Sequence, residues 1–278
     1  MKYWKKKKNR MIKITKDTTD IPISLLPAFE DLFLNKKIDR LAKTTHEKRM
    51  LLIKNGSYID SNEFNSRYKL EDIRKKLITI YNHKCAYCEQ KVEQYNVEHY
   101  RPKSIYYWLA FSWDNLILAC PYCNFHKGIK FELGGKAETL KNTDDNIKKI
   151  NNLSSTYDTT EKPKMVNPEI SDPKGTVKFG KDGSIDSDNI NFKYTIEECK
   201  ISRTYLRDGR RKILDDLRKE IALAYSKNDE DEVIPVLRHI ITTFKENSQN
   251  LKNEFIAFRE FAIASGWISE ILKEEKEA

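Results

Sequence analysis

Apolar positions recur at helical spacing in two stretches ahead of the first cysteine. A short apolar patch over residues 21–26 is broken by Pro22 and Pro27, and residues 28–43 then carry apolar side chains at helical intervals, which predicts a helix. Residues 55–66 are polar and read as a loop. Leu70, Ile73, Leu77, Ile78 and Tyr81 form the inner stripe of a second helix that ends before Cys85. Residues 92–99 read as extended, and residues 114–118 lead into Cys120-Pro121-Tyr122-Cys123, where a further helix starts. Polar, Asn-rich residues 141–162 predict a loop region, and residues 176–179 and 184–186 flank Lys181-Asp182-Gly183 as a small hairpin. Thr195 with Glu198 fits a capping box opening the first of about three helices over residues 196–275, whose Leu, Ile and Phe positions are core. There is no internal repeat or heptad run, and the pattern predicts an α+β fold that is predominantly helical.

Composition narrows the class. With 278 residues, 39% hydrophobic and 33% charged, the chain can bury a core without staples and holds no apolar run able to span a bilayer. Basic residues at the start have no apolar stretch behind them, so no secretory signal is read and a cytoplasmic setting is expected, where stable disulfides are disfavoured. The net charge of +9 invites a polyanion, yet the first ten residues hold six basic groups and no acid. Because Met11 opens a better-patterned segment, residues 1–10 read as a solvated tail or an upstream start. Residues 1–150 hold 30 basic against 18 acidic groups and residues 151–278 hold 21 against 24, so a polyanion is expected on the N-terminal half.

Cysteine spacing supplies the strongest chemical signal. Of five cysteines, four form two C-x2-C pairs, Cys85/Cys88 and Cys120/Cys123, separated by 31 residues. Two thiolates in one tight turn can share a metal, and two such turns complete the tetrahedral sulfur shell that structural Zn2+ prefers. A redox pair is the competing reading, but neither motif has a thioredoxin-like strand-to-helix context. Cys199 is left over, and a small buried helix residue is its default role. Between the knuckles lies Glu98-His99-Tyr100-Arg101-Pro102-Lys103, an acid beside a histidine at a strand end with two cations after it. Phosphodiester hydrolysis needs a base for water, a divalent metal and cations for developing charge, and all three residue types are present. Tyr100, Tyr106, Tyr107, Trp108, Phe111 and Trp113 interleave with the basic residues, either as base-stacking groups or as the small core beneath the site.

These residues resemble the zinc-stapled HNH (ββα-metal) endonucleases, whose ordered pattern is matched by Cys85-x2-Cys88, Glu98-His99, Asn115-Leu116 and Cys120-x2-Cys123-Asn124-x2-Lys127. The resemblance implies that His99 is the general base, Asn115 braces the loop that carries it, and Glu98 with Asn124 holds the catalytic metal. Asn124 stands where many members have His, which leaves His126 as the alternative ligand. Two residues apart on a helix is roughly 200° of rotation, so the two do not share one metal, and Asn124 is favoured. Oxygen donors with waters suit Mg2+ or Mn2+. Arg101, Lys103 and Lys127 are candidates for contacting nucleic-acid phosphate. Val166-Asn167-Pro168, Asp182-Gly183 and Thr195-Ile196 extend the likeness to the retron-associated HNH family of anti-phage defence. That implies a DNA-cutting subunit beside an ABC/SMC-like ATPase, and the absence of a G-x4-G-K-[ST] loop fits ATP handling, if any, by another chain. The competing class is a non-catalytic zinc-ribbon adaptor that binds nucleic acid or the ATPase. The expected division is a basic tail and helical segment over 1–68, the zinc-stapled HNH core over 69–135, a loop and hairpin over 136–195, and a helical region over 196–278.

Overall fold

The computed structural model describes residues 14–28, 36–227 and 230–277. The basic tail of residues 1–10 lies outside them, as does much of the first expected helix. What is described of that helix is α1 (Lys36–Asn55), which runs on well past residue 43. Ala42, Thr45, Arg49 and Leu52 explain the extension, since they keep one buried stripe at helical spacing. Arg49 is wholly buried, and its Nη2 donates to the carbonyls of Leu25 and Phe111 at 2.9 Å each, which docks α1 on the centre of the molecule. Gly56, at φ +73°, takes the left-handed turn that ends the helix.

The polar stretch that follows is only partly a loop. A single turn, α2 (Asn62–Asn65), and a 3-10 turn (Arg67–Lys69) form there because Phe64 and Tyr68 are buried. Next, α3 (Glu71–Tyr81) buries Ile73, Leu77 and Tyr81 as expected, and left-handed Asn82 and His83 swing the chain toward Cys85. The extended stretch condenses to β1 (Asn96–His99), antiparallel to β2 (Leu116–Ala119), with Glu98 opposite Ile117 and His99 opposite Leu116. Helix α4 (Pro121–Lys127) follows β2 directly and packs on β1, with Cys120 as its N-cap and Pro121 in the first turn.

Residues 141–162 depart from the expected loop. They form α5 (Asp144–Lys148), 3-10 turns at Ile150–Asn152 and Ser155–Tyr157, and α6 (Asp158–Glu161). Their high Asn, Ser and Thr content hides a stripe of Ile147, Ile150, Leu153 and Tyr157 that is buried in the core. The hairpin forms close to its expected place, as β3 (Val177–Phe179) and β4 (Ile185–Ser187).

The capping box does not form. Thr195 lies inside α7 (Ile190–Glu198), where its hydroxyl donates to the Asn191 carbonyl and accepts from Val166 N–H; the cap is Asn189, whose side chain accepts from Asn191 and Phe192 N–H. Cys199 follows, buried, at the end of α7. The C-terminal region then holds α8 (Thr204–Tyr225), α9 (Glu230–Gln249), α10 (Ile256–Ala264) and α11 (Trp267–Glu277), one helix more than expected even before α7 is counted. No helix among the described residues is long and apolar enough to cross a membrane. One hydrophobic core runs from Leu25 through both cysteine turns to Ile271.

A buried ion network fastens the short helices to the strand end. Arg101 is fully buried; its Nε donates to Glu161 Oε2 at 2.8 Å, its Nη1 to Ser154 Oγ at 2.9 Å and its Nη2 to Asp158 at 2.6 Å. Tyr106 OH and Glu138 N–H donate to the other oxygen of Glu161. Removing one partner of such a set strands a buried charge. Arg101→Met is therefore expected to cost about 3–5 kcal/mol of stability, measured by urea unfolding, with Arg101→Met/Glu161→Leu recovering much of the loss.

Candidate functional site

The two cysteine turns are held together by the backbone before any metal is considered. In the first turn Cys85 N–H donates to the Gln90 carbonyl and Glu89 N–H to that of Cys85, with Glu89 in the left-handed region. Ala86 N–H donates to the Leu118 carbonyl at 2.8 Å, tying this turn to β2, and β2 delivers Cys120. In the second turn Cys120 Sγ accepts from Cys123 N–H at 3.3 Å. The sulfurs of Cys85, Cys88, Cys120 and Cys123 consequently lie within 4.8 Å of one another, all buried and none in a disulfide. Zn–S bonds of about 2.3 Å put tetrahedral sulfurs about 3.8 Å apart, and Cys88 and Cys120 are 4.0 Å apart. The donor set fits a metal, and its softness fits zinc. Arg203 adds what the motif did not reveal: its Nη1 lies 3.6 Å from Cys123 Sγ and its Nη2 3.8 Å from Cys88 Sγ, with the guanidinium stacked on Tyr122. A cation there offsets thiolate charge, and nothing in the spacing could have singled it out.

Between the turns, Asn115 acts as a clamp. Its Oδ1 accepts from Arg101 N–H at 2.8 Å, and its Nδ2 donates to the carbonyls of Arg101 at 3.0 Å and Leu109 at 3.2 Å. One wholly buried amide thus pins the chain just beyond His99. The imidazole is held on two sides: Nε2 donates to the Ala110 carbonyl at 2.9 Å, and the Tyr68 ring meets it edge-on with centroids 4.5 Å apart. A carbonyl only accepts, so Nε2 carries the proton and Nδ1 keeps a basic lone pair. Burial, with Lys103, Lys127 and Lys69 adding repulsion against the Ala110 hydrogen bond, pushes the pKa of His99 down to about 3.

Glu98, Lys127 and Arg101 are where charge identity alone misleads. Glu98 is buried, which pushes its carboxyl up, and Lys127 Nζ opposes this from 2.6 Å. Lys127 is fully buried and also donates to the His99 carbonyl at 2.8 Å. Like Arg101, it is committed to internal partners as folded, so neither presents a cation to an incoming phosphate; both had been expected there. Lys103 differs. It is half-buried, with Nζ donating to Asn65 Oδ1 at 2.6 Å and Tyr68 OH at 3.2 Å, and desolvation lowers it to about 8. Asn124 is half-exposed on the turn before Lys127 and on the same helical face. His126 instead stacks with Tyr122, centroids 4.3 Å apart, and abuts Phe125. The aromatic run is core: Tyr100, Tyr106, Trp108, Phe111 and Trp113 are buried.

Metal removal should show in folding. Cys88→Ser, or chelation of the wild type, is expected to release the bound zinc and to destabilise the protein by on the order of several kcal/mol, read by metal analysis and thermal melting; an unchanged melting curve would contradict the staple. The histidine makes a separate prediction. His99 titrates near 6.5 when unfolded but about 3 when folded, so its contribution is complete above pH 6.5 and is lost as pH falls toward 3. His46, lowered to about 4 by burial and by Arg49, adds in the same direction. Stability measured across that window is expected to fall with acid by up to about 1.4 kcal/mol per pH unit for each such group, and His99→Gln is expected to flatten its share.

Comparison with known proteins agrees with this geometry. Residues 85–130, which hold the cysteines, His99, Asn115 and Asn124, match the HNH endonuclease family. The chain is 28% identical over 169 residues to the Septu protein PtuB of Bacillus mycoides (strain KBAB4), covering 54% of this chain and 53% of that protein. It is 34% identical over 98 residues to the Septu protein PtuB of Bacillus thuringiensis, covering 34% of each. The chain thus spans about half the length, or less, of the curated relatives it matches. No solved structure matches it. The protein carries an HNH endonuclease domain built on a four-cysteine cluster and is homologous to Septu PtuB.

Proposed function

We propose that this protein is a metal-dependent HNH endonuclease that hydrolyses phosphodiester bonds of DNA in the cytoplasm. We further propose that it is the cutting subunit of an anti-phage complex with an ABC/SMC-like, PtuA-like ATPase, within the retron-associated branch of the family. The observation that carries the reading is the imidazole of His99, neutral, fixed by the Ala110 carbonyl and left with Nδ1 as a base, beside Glu98 at the end of β1. In this reading Nδ1 takes the proton of the attacking water, and the Ala110 carbonyl then steadies the imidazolium through Nε2–H. Asn115 keeps the ring from drifting by holding the chain on both sides of Arg101. Glu98 and Asn124 are the oxygen donors assigned to a divalent cation, Mg2+ or Mn2+, which when bound supplies charge stabilisation at the scissile phosphate and its leaving oxygen. Lys127, already on Glu98, orients that carboxylate.

A binding-only adaptor is the second reading, and the 5% exposure of His99 is what favours it, since a base so covered meets no phosphate without some opening. Supercoiled plasmid distinguishes the two. With Mg2+ or Mn2+ the wild type is expected to nick it, EDTA to stop the reaction, and His99→Ala to slow it by about 10²–10⁴-fold while keeping zinc and a cooperative, if lowered, melting transition. Equal rates for wild type and His99→Ala would remove the base assignment.

A further inference from the structure

With Arg101 and Lys127 buried in ion pairs, Lys103 is left of the three expected cations, and the described residues place a second lysine, Lys69, near it and His99. Tyr68, from the N-terminal region, is the hub. Its ring meets the His99 imidazole edge-on, Lys69 Nζ lies 5.4 Å from its centroid, and Lys103 Nζ lies 5.1 Å from it and 4.0 Å from the centroid of the Tyr58 ring. Neither lysine makes an ion pair among the described residues. Of the neighbouring acids, Glu98 is paired with Lys127, while Asp60, which accepts from the Asn65 amide at 2.7 Å, also attracts Lys103. Lys69 is exposed and Lys103 half-buried, so both can be reached from solvent. Desolvation is the main cause that weakens Lys103's hold on its proton and repulsion from Lys69 a smaller one, which a phosphate beside them would lessen.

We infer that Tyr68, Lys69 and Lys103 form a phosphate subsite next to His99, which takes a backbone phosphate of a nucleic acid flanking the one that is cut. The inference rests on the nuclease reading for the identity of the ligand, and not for the cation pair itself. Lys103 is aimed by Asn65 Oδ1 and Tyr68 OH, while Lys69 supplies the outer charge. Each phosphate so contacted releases counterion, which makes the subsite measurable without catalysis.

The test is binding of a short DNA duplex to the full chain in EDTA over a range of salt, beside plasmid cleavage with Mg2+. Lys69→Gln and Lys103→Gln are each expected to reduce the log–log salt slope by about 0.9, and the double variant by about twice that, whereas Lys212→Gln on exposed α8 binds as the wild type does. If Lys103→Gln fails to fold, the exposed Lys69 decides alone. Reduced slopes in a wild type that cuts support the subsite and the nuclease together. Reduced slopes in a wild type that never cuts support the subsite and sink the nuclease. Unchanged slopes in a cutting enzyme overturn the subsite alone, and a wild type that binds no duplex overturns it as well.

Discussion

Four sulfur atoms gathered within 4.8 Å impose the geometry on which the rest of the site depends. A metal ion taken up by all four would replace the thiol protons and cross-link the chain between Cys85 and Cys123. The first turn lies against β2 through the Ala86–Leu118 hydrogen bond, and β2 pairs with β1 in a single register. His99 then stands opposite Leu116, one residue from Asn115, whose amide clamps the backbone that leaves the histidine. The sulfur cluster is therefore an organising element of the segment, and Arg203, at the N-terminal cap of α8, would offset thiolate charge there.

Charge in this protein is spent inward to a degree that its composition conceals. Arg101 with Glu161 and Asp158, Lys127 with Glu98, and Lys16 with Glu169 are buried pairs linking elements distant in sequence. Buried pairs of this kind contribute little net stability against well-packed apolar groups, yet breaking one is severe, so they fix which segments meet. Arg101 brings α6 and the preceding turns onto the strand end, and Lys127 ties α4 to β1. The basic excess of the N-terminal half is accordingly a poor map of where a polyanion docks: of the motif-adjacent cations Arg101 and Lys127 belong to the core, and only Lys103 is partly accessible.

What was legible in the sequence was whatever local spacing determines. The stripe of α3, the hairpin, the cysteine turns and the order of strand, strand and helix all rest on periodicity or on turn residues a few positions apart. What was not legible depends on partners far along the chain. Nothing near Arg101 announces Glu161, and nothing near His99 announces Tyr68 or Lys69. Thr195 and Glu198 have the spacing of a capping box, but the hydroxyl was already committed within α7 and to Val166, so tertiary context overrode a local signal. In residues 141–162 the polar content argued for loop while a sparse stripe of buried Ile, Leu and Tyr decided for helical turns.

Burial lowers the pKa of His99 to about 3, so the ring is neutral at ordinary pH, and what the fold restricts is access to it. His99 is 5% exposed, and the groups in contact with its ring include the Ala110 segment from within the matched HNH region and Tyr68 from outside it. Tyr68 is bonded to Asn65 and Lys103, and the neighbouring Arg67 is fastened to α1 through Thr45 and the Leu41 carbonyl. Displacing that cover means moving a turn anchored on α1, a larger change than rotating one side chain. On this architecture the N-terminal region covers His99 through Tyr68, and the segment between the cysteine turns fixes the ring through the Ala110 carbonyl.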